Sequence, residues 1–280
     1  MSYLLQAKRP EPKAPIITIV GFPGVGKTSL AALFPNPVFI HTDFNAQTVF
    51  ESWPDDRKPF FMPEIPNARV KTNVKPSVVI MDQLRELVIE EHPFKTVVFD
   101  TVSTMNLKIE NEVVEFDPMD AQNIADASGG FHKGYKTSAR IHSKIREACE
   151  HIRAKGIAVV FLCHTGTHKI KNRPDAQEYT TFGLDMHQDS RAFYVNHSDA
   201  VLYLKSVEII TGVSTDKKGN VVKAGKIKNT GDRVLITSSD STIGYTDAKN
   251  CYGMPQELEV EPATNPILEF IPFFNKGAKK

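Results

Sequence analysis

Two spacings of hydrophobic residues alternate along the first two thirds of the chain. Unbroken apolar runs recur at Ile16–Val20, Val38–Ile40, Thr96–Phe99 and Ile157–Cys163, the pattern of strands buried on both faces of a parallel sheet. Between them, Val79, Met81, Leu84, Leu87 and Val88 return at helical intervals and predict a helix within Val78 to Glu91. Ile141, Ile145, Ala148 and Ile152 predict another from Tyr135 to Lys155, stopped by Gly156. Met105 to Phe116 reads as helical, and so does Ser29 to Phe34, which Pro35 and Pro37 close. The prolines between Trp53 and Pro76 oppose regular structure and predict a surface excursion. Beyond Ala200–Leu204, turn residues separate Val207–Val213, Val221–Ile227 and Arg233–Ser238, which predict a smaller antiparallel extension. The expected division is a flexible leader over 1–14, an α/β core over 15–205, a β-rich extension over 206–262 and a tail over 263–280.

The first apolar run is followed at once by GFPGVGKT, Gly21 to Thr28, which satisfies G-x-x-x-x-G-K-[ST] in the context strand, glycine loop, helix. Glycines let consecutive backbone N–H groups turn inward around phosphate oxygens, so Gly21, Phe22, Pro23, Gly24, Val25, Gly26, Lys27, Thr28 and Ser29 form the candidate nucleotide site. Lys27 would reach the β and γ phosphates, and Thr28 would hold Mg²⁺. Ligands of such sheets sit at the carboxyl ends of the strands, where three further candidates fall. Asp100, closing TVVFD, has the form of the carboxylate that orients the Mg²⁺ shell, or else caps the next helix. Asp43, after the second strand, is the candidate for positioning or deprotonating water, against a solvated loop aspartate. His164 is placed to contact the γ phosphate, against a plain polar strand end. Cys163, His164 and His168 do not make a zinc centre, because a strand end does not bring them to one face and no fourth ligand is evident.

Composition narrows the setting. A 41% hydrophobic and 24% charged chain of 280 residues is ordinary for a soluble globular protein. Three dispersed cysteines suggest neither a disulfide framework nor a structural metal, which fits a reducing cytoplasm. No apolar stretch approaches a membrane span. A net charge of +1 gives no overall basic footprint, so nucleic-acid binding would need local patches. Lys169, Lys171 and Arg173 after His164, and Lys226 and Lys228 in the extension, are those candidates, against solvated surface or edge-protecting lysines. The apolar tail Phe270–Phe274 is expected to dock on this or another subunit.

Taken together, the chain resembles the RecA-like P-loop ATPases, and most closely the phage-encoded ATP-binding proteins related to single-strand annealing recombinases. The resemblance rests on GFPGVGKT, VFIHTD, TVVFDTVST, AVVFLCHT, HSDAVLYL and DAKNCYGMPQELEV, from about residue 16 to 260. It implies a RecA-type core, ATP and Mg²⁺ as cofactors, self-association into a ring or filament, single-stranded DNA as partner, and contact with replication or recombination proteins. Asp43 stands where recombinases have a catalytic glutamate, and His164 where they carry a polar sensor, commonly glutamine. Lys249 of DAKN would reach ATP across a subunit interface, or is a plain surface lysine. The function implied is an ATP-hydrolysing protein acting on single-stranded DNA in phage-type recombination or replication. The alternative is a nucleotide-gated scaffold with negligible hydrolysis, consistent with the shorter Asp43 and the neutral net charge.

Overall fold

The computed structural model describes residues 7–9, 11–43, 46–170, 177–211, 214–215, 221–223, 226–239, 244–245 and 247–275. Its parallel strands include β1 (Ile16–Gly21), β2 (Pro37–His41), β3 (Phe60–Phe61), β4 (Thr96–Asp100) and the first part of β5 (Ala158–Ile170). β6 (Tyr179–Leu184), β7 (Ala200–Thr211), β10 (Lys226–Ile236), β11 (Lys249–Asn250) and β12 (Glu257–Glu259) complete the sheet, while β8 (Ser214–Thr215) pairs separately with β9 (Val221–Lys223). The strand order is β12-β10-β7-β1-β5-β4-β2-β3, with β6 on β5 and β11 on β7. This is an α/β architecture: a mostly parallel sheet between helices, with antiparallel strands towards the C-terminal end.

The apolar runs become the buried strands because each carries a side-chain layer for both faces. Val97, Phe99, Val159 and Phe161 point to one hydrophobic cluster, and Val98, Val160 and Leu162 to the other. The first face is covered by α2 (Pro76–Ile89), α3 (Val102–Glu115), α4 (Lys133–Ala154) and α5 (Gln188–Val195), whose Ile80, Ile109, Ile145 and Tyr194 enter the cluster. The second is covered by Leu30 and Ala31 of α1 (Lys27–Ala31), by Phe50, and by the C-terminal segment through α6 (Ile267–Phe270). The tail docks on its own chain: Ile271 is buried, and the Phe274 ring lies edge-on to Phe34 at 5.9 Å.

Several boundaries differ from the sequence expectation. The helix expected over Ser29–Phe34 starts at Lys27 and ends at Ala31, since the residue before a proline avoids helical geometry and Phe34 precedes Pro35. The excursion over 53–76 is not wholly irregular, because Phe60–Phe61 adds a parallel edge strand to β2. β5 does not stop at Cys163 but runs on to Ile170 and pairs antiparallel with β6, so the expected loop after His164 is a hairpin arm. Ala200–Leu204 and the segment after it form one strand: β7 is parallel to β1 up to Tyr203 and antiparallel to β10 out to Thr211. The 205/206 division therefore falls inside β7, and the extension continues the core sheet. Among the described residues, no helix is long and apolar enough to cross a membrane.

Candidate nucleotide-binding site

β1 lies between β5 and β7, so the loop leaving it emerges mid-sheet at the carboxyl ends of the parallel strands. Gly21 must be glycine, because a Cβ there would meet the Leu204 carbonyl oxygen at 2.6 Å. Gly24 and Gly26 have φ of 78° and 99°, the left-handed conformations that let neighbouring N–H groups face one hollow. Lys27 follows, only 5% exposed, and its ammonium donates to the carbonyls of Gly21 (2.8 Å) and Phe22 (3.0 Å). Burial lowers its pKa to about 8, against the opposing pull of Asp100 and Cys163.

Thr28 and Asp100 are in direct contact. The Thr28 hydroxyl donates to Oδ2 of Asp100 at 2.8 Å, joining α1 to the end of β4. Thr101, not Asp100, caps α3, accepting from the Thr104 amide at 3.2 Å. Asp100 is 3% exposed, and burial raises its pKa in spite of the Thr28 hydrogen bond and Lys27. A hydroxyl–carboxylate pair with a buried carboxylate beside a phosphate-binding loop suits Mg²⁺, a hard cation held by one or two protein oxygens together with phosphates and water. Thr28 and Asp100 would hold it, and the charge it brings would neutralise developing negative charge on the phosphates. Among the described residues no group of three His, Cys, Asp or Glu is placed to hold a metal by protein ligands alone.

His164 sits opposite Gly21 in the β1–β5 register, and its amide donates to the Ser103 hydroxyl at 3.0 Å. Its Nδ1 lies 3.4 Å from the Lys27 ammonium. An ammonium only donates, so Nδ1 is the acceptor and the ring proton is assigned to Nε2. Burial and Lys27 lower the His164 pKa, so the ring is neutral at pH 7. Cys163, buried behind it on Ser103 at 3.2 Å, has its thiol pushed up to about 12 by burial. Asp43 lies just past β2, whose His41 is level with Asp100 on β4. It is half-buried, and its charge is felt at Asp100, His164 and Lys108. The four groups singled out in the sequence, Lys27, Asp43, Asp100 and His164, thus converge on one centre.

A family model described as an AAA domain matches residues 13–252. The chain belongs to this AAA-domain family. No curated protein matches it. Among solved structures, it is similar to the flagellar accessory protein FlaH from Methanocaldococcus jannaschii, at 10% sequence identity over 89% of this chain and 85% of that one, with a TM-score of 0.38. Family and P-loop together mark a nucleotide-binding protein of the ATPase type.

The other candidates of this AAA-domain protein lie away from that centre. Lys169 is exposed on the β5–β6 arm, while Lys171 and Arg173 fall outside the described residues. Lys226 and Lys228, exposed on β10, face Thr211 and Ile209 of β7. At about 3.4 Å per residue, Ile209 and Thr211 lie roughly 20–27 Å beyond the Tyr203 level of the sheet. Lys249 is paired through β11 with Val201, level with Thr18 rather than Gly21, and donates to the Asn196 carbonyl at 3.1 Å. In its own chain it does not face the P-loop.

Two P-loop neighbours had no signal in the sequence. Phe182 on β6 receives Phe22 edge-on at 5.7 Å, tying the loop to the hairpin arm. Arg233 on β10 lays its guanidinium against Gly26, where any Cβ would collide with Nη1. An isolated arginine so far along the chain carries no pattern that points to the loop.

Proposed function

We propose that this chain is a Mg²⁺-dependent ATPase that works on single-stranded DNA as a self-associated assembly in the cytoplasm, in phage-type recombination or replication. The observation that carries the ATPase reading is the meeting of Lys27, the Thr28–Asp100 pair, Asp43 and the neutral His164 at the carboxyl ends of adjacent strands. In this reading Lys27 leaves the Gly21 and Phe22 carbonyls for phosphate oxygens, and the loop N–H groups cradle them. Asp43 orients the attacking water and takes up its proton. The Nε2 proton of His164 is available to a γ-phosphate oxygen, so loss of that phosphate is felt on β5, which continues into the β5–β6 arm.

The DNA reading is supported by exposed Lys169, Lys226 and Lys228 on arms that run past the P-loop end of β1, and by the motif resemblance. Lysines on such arms gain affinity for a phosphate backbone by counterion release. Steady-state ATP hydrolysis with and without single-stranded DNA, with Lys27→Ala as control, tests both halves. DNA-stimulated turnover that vanishes in the variant is the expected result. Tight ATP binding with no turnover under either condition would refute hydrolysis and leave a nucleotide-gated scaffold. Turnover indifferent to DNA would refute the partner.

A further inference from the structure

The base of the β5–β6 arm carries an acid that belongs to none of the nucleotide motifs. β6 runs back along β5 with Gly183 opposite Gly166 and Leu184 opposite Thr165, which brings Asp185 level with His164. The Asp185 amide donates to the His164 carbonyl at 2.9 Å. Its side chain lies over β5, because a Cβ on Gly166 would meet the Asp185 Cβ at 3.3 Å and Oδ1 at 3.2 Å. Residues two apart on a strand share a face, so this carboxylate sits over the face of β5 that carries the His164 ring. His164 feels its charge more than that of Asp43, and both work against the lowering of the His164 pKa by burial and Lys27.

We propose that Asp185 sets the preference of this site between triphosphate and diphosphate, as a fixed carboxylate whose charge opposes the γ-phosphate. The proposal rests on the reading of His164 as a γ-phosphate contact and deepens it. Residues opposite one another on an antiparallel pair have their Cβ atoms about 4.5–5.5 Å apart, so a phosphate that reaches the His164 ring also comes close to Asp185. Like charges at that range repel, and a site holding ATP carries a repulsion that a site holding ADP does not. A mobile surface acid would turn away. Here Leu184 and Met186 on either side are buried, and the amide bond to His164 holds the backbone between them. Nor is the charge neutralised within the chain: Asp185 is exposed, and among the described residues it is in no ion pair. Arg191, which lies against Gly183, is turned instead to Asp247 at 3.8 Å. Asp100 differs on both counts, being buried and bonded to the Thr28 hydroxyl.

The test is a charge series at one position, read by calorimetry on the full chain with Mg²⁺-ADP and with the Mg²⁺ complex of a non-hydrolysable ATP analogue. Asp185→Asn should tighten the analogue about 5-fold and leave ADP within about 2-fold of the wild type. Asp185→Lys should tighten the analogue further, and Asp185→Glu, which keeps the charge, should match the wild type. The backbone of Asp185, not its carboxylate, bonds to His164, so the hairpin should survive all three changes, with circular dichroism as the check. His164→Ala should weaken the analogue and not ADP, which tests the reading beneath the proposal separately. Analogue affinity that does not follow the side-chain charge across the series overturns the proposal, and so does a change that ADP shares equally. In both cases the P-loop reading stands. Failure of the wild-type chain to bind either nucleotide overturns the nucleotide reading itself.

Discussion

The two ends of β7 belong to different worlds. Its first residues, Ala200 to Leu204, are buried and covered on both faces, with β1 along one edge and β11 and then β10 along the other, and lie at the level of the P-loop strand. Its outer part pairs with β10 alone, and there Ile209 is 45% exposed and the partner residues Lys226, Lys228, Asn229 and Thr230 are open to solvent. The same contrast divides β5, buried from Ala158 to Cys163 and alternately exposed through the hairpin to Ile170. One strand thus serves two purposes. Its dry part lies beside the P-loop strand, and its wet part, with β10, exposes charge to solvent. The carboxyl end of β1 marks the boundary, because beyond Gly21 no parallel neighbour continues the sheet.

If that division is right, substitutions at the dry end should silence chemistry and those at the arms should not. Asp100→Asn should lower ATP turnover at least about 100-fold, with the protein still folded by circular dichroism and still able to bind single-stranded DNA. Loss of both activities together would break the separation. Next in size, Leu162→Ala should cost about 2–5 kcal/mol in denaturant unfolding, whereas Ile209→Ala should cost under about 0.5 kcal/mol. Equal costs would mean that the arm is packed against a partner in solution.

The pH response is expected to be smaller and to come from Lys27. Its folded pKa of about 8 is below the usual lysine value, so the free site loses the ammonium as pH rises through 8. Phosphate binding favours the charged form, so above that pH each binding event must take up a proton. ATP affinity should then fall by up to about tenfold per pH unit, and be flat below. An affinity flat to pH 10 would show that Lys27 stays charged before ligand arrives. The smallest effect is expected from Lys226→Ala with Lys228→Ala. A few-fold loss of single-stranded DNA affinity should come with a drop of about 1.4 in the salt slope, at constant ATP binding.

Much of the dry end was legible because burial on both faces demands unbroken apolar runs, and a phosphate loop demands glycines at set intervals. Ile16–Val20, Thr96–Phe99 and the GKT sequence say this without reference to anything else in the chain. Asp43 and His164 were legible only as strand-end positions, from the rule that ligands gather at carboxyl ends. The wet strands were harder. Half-exposed strands carry mixed sequence, so the outer part of β7 read as a separate segment and the outer part of β5 as a loop. Cross-strand hydrogen bonds, which any residue but proline can make, hold those arms out.

The sequence alone determined that there is a glycine loop of the phosphate-binding pattern, which runs form buried strands, and which carboxylates stand at their ends. These depend on local backbone freedom and on alternation of side chains, both written within a few neighbouring residues. Tertiary structure decided that Thr28 reaches Asp100, that Lys27 is shared between the loop carbonyls and His164, and that the excursion adds an edge strand. It also decided that Arg233 rests on Gly26 and that Asp185 lies level with His164. Such contacts join residues whose separation along the chain carries no periodic signal. They exist only because the sheet order sets β7 and β10 on one side of the P-loop strand and β5, β4 and β2 on the other.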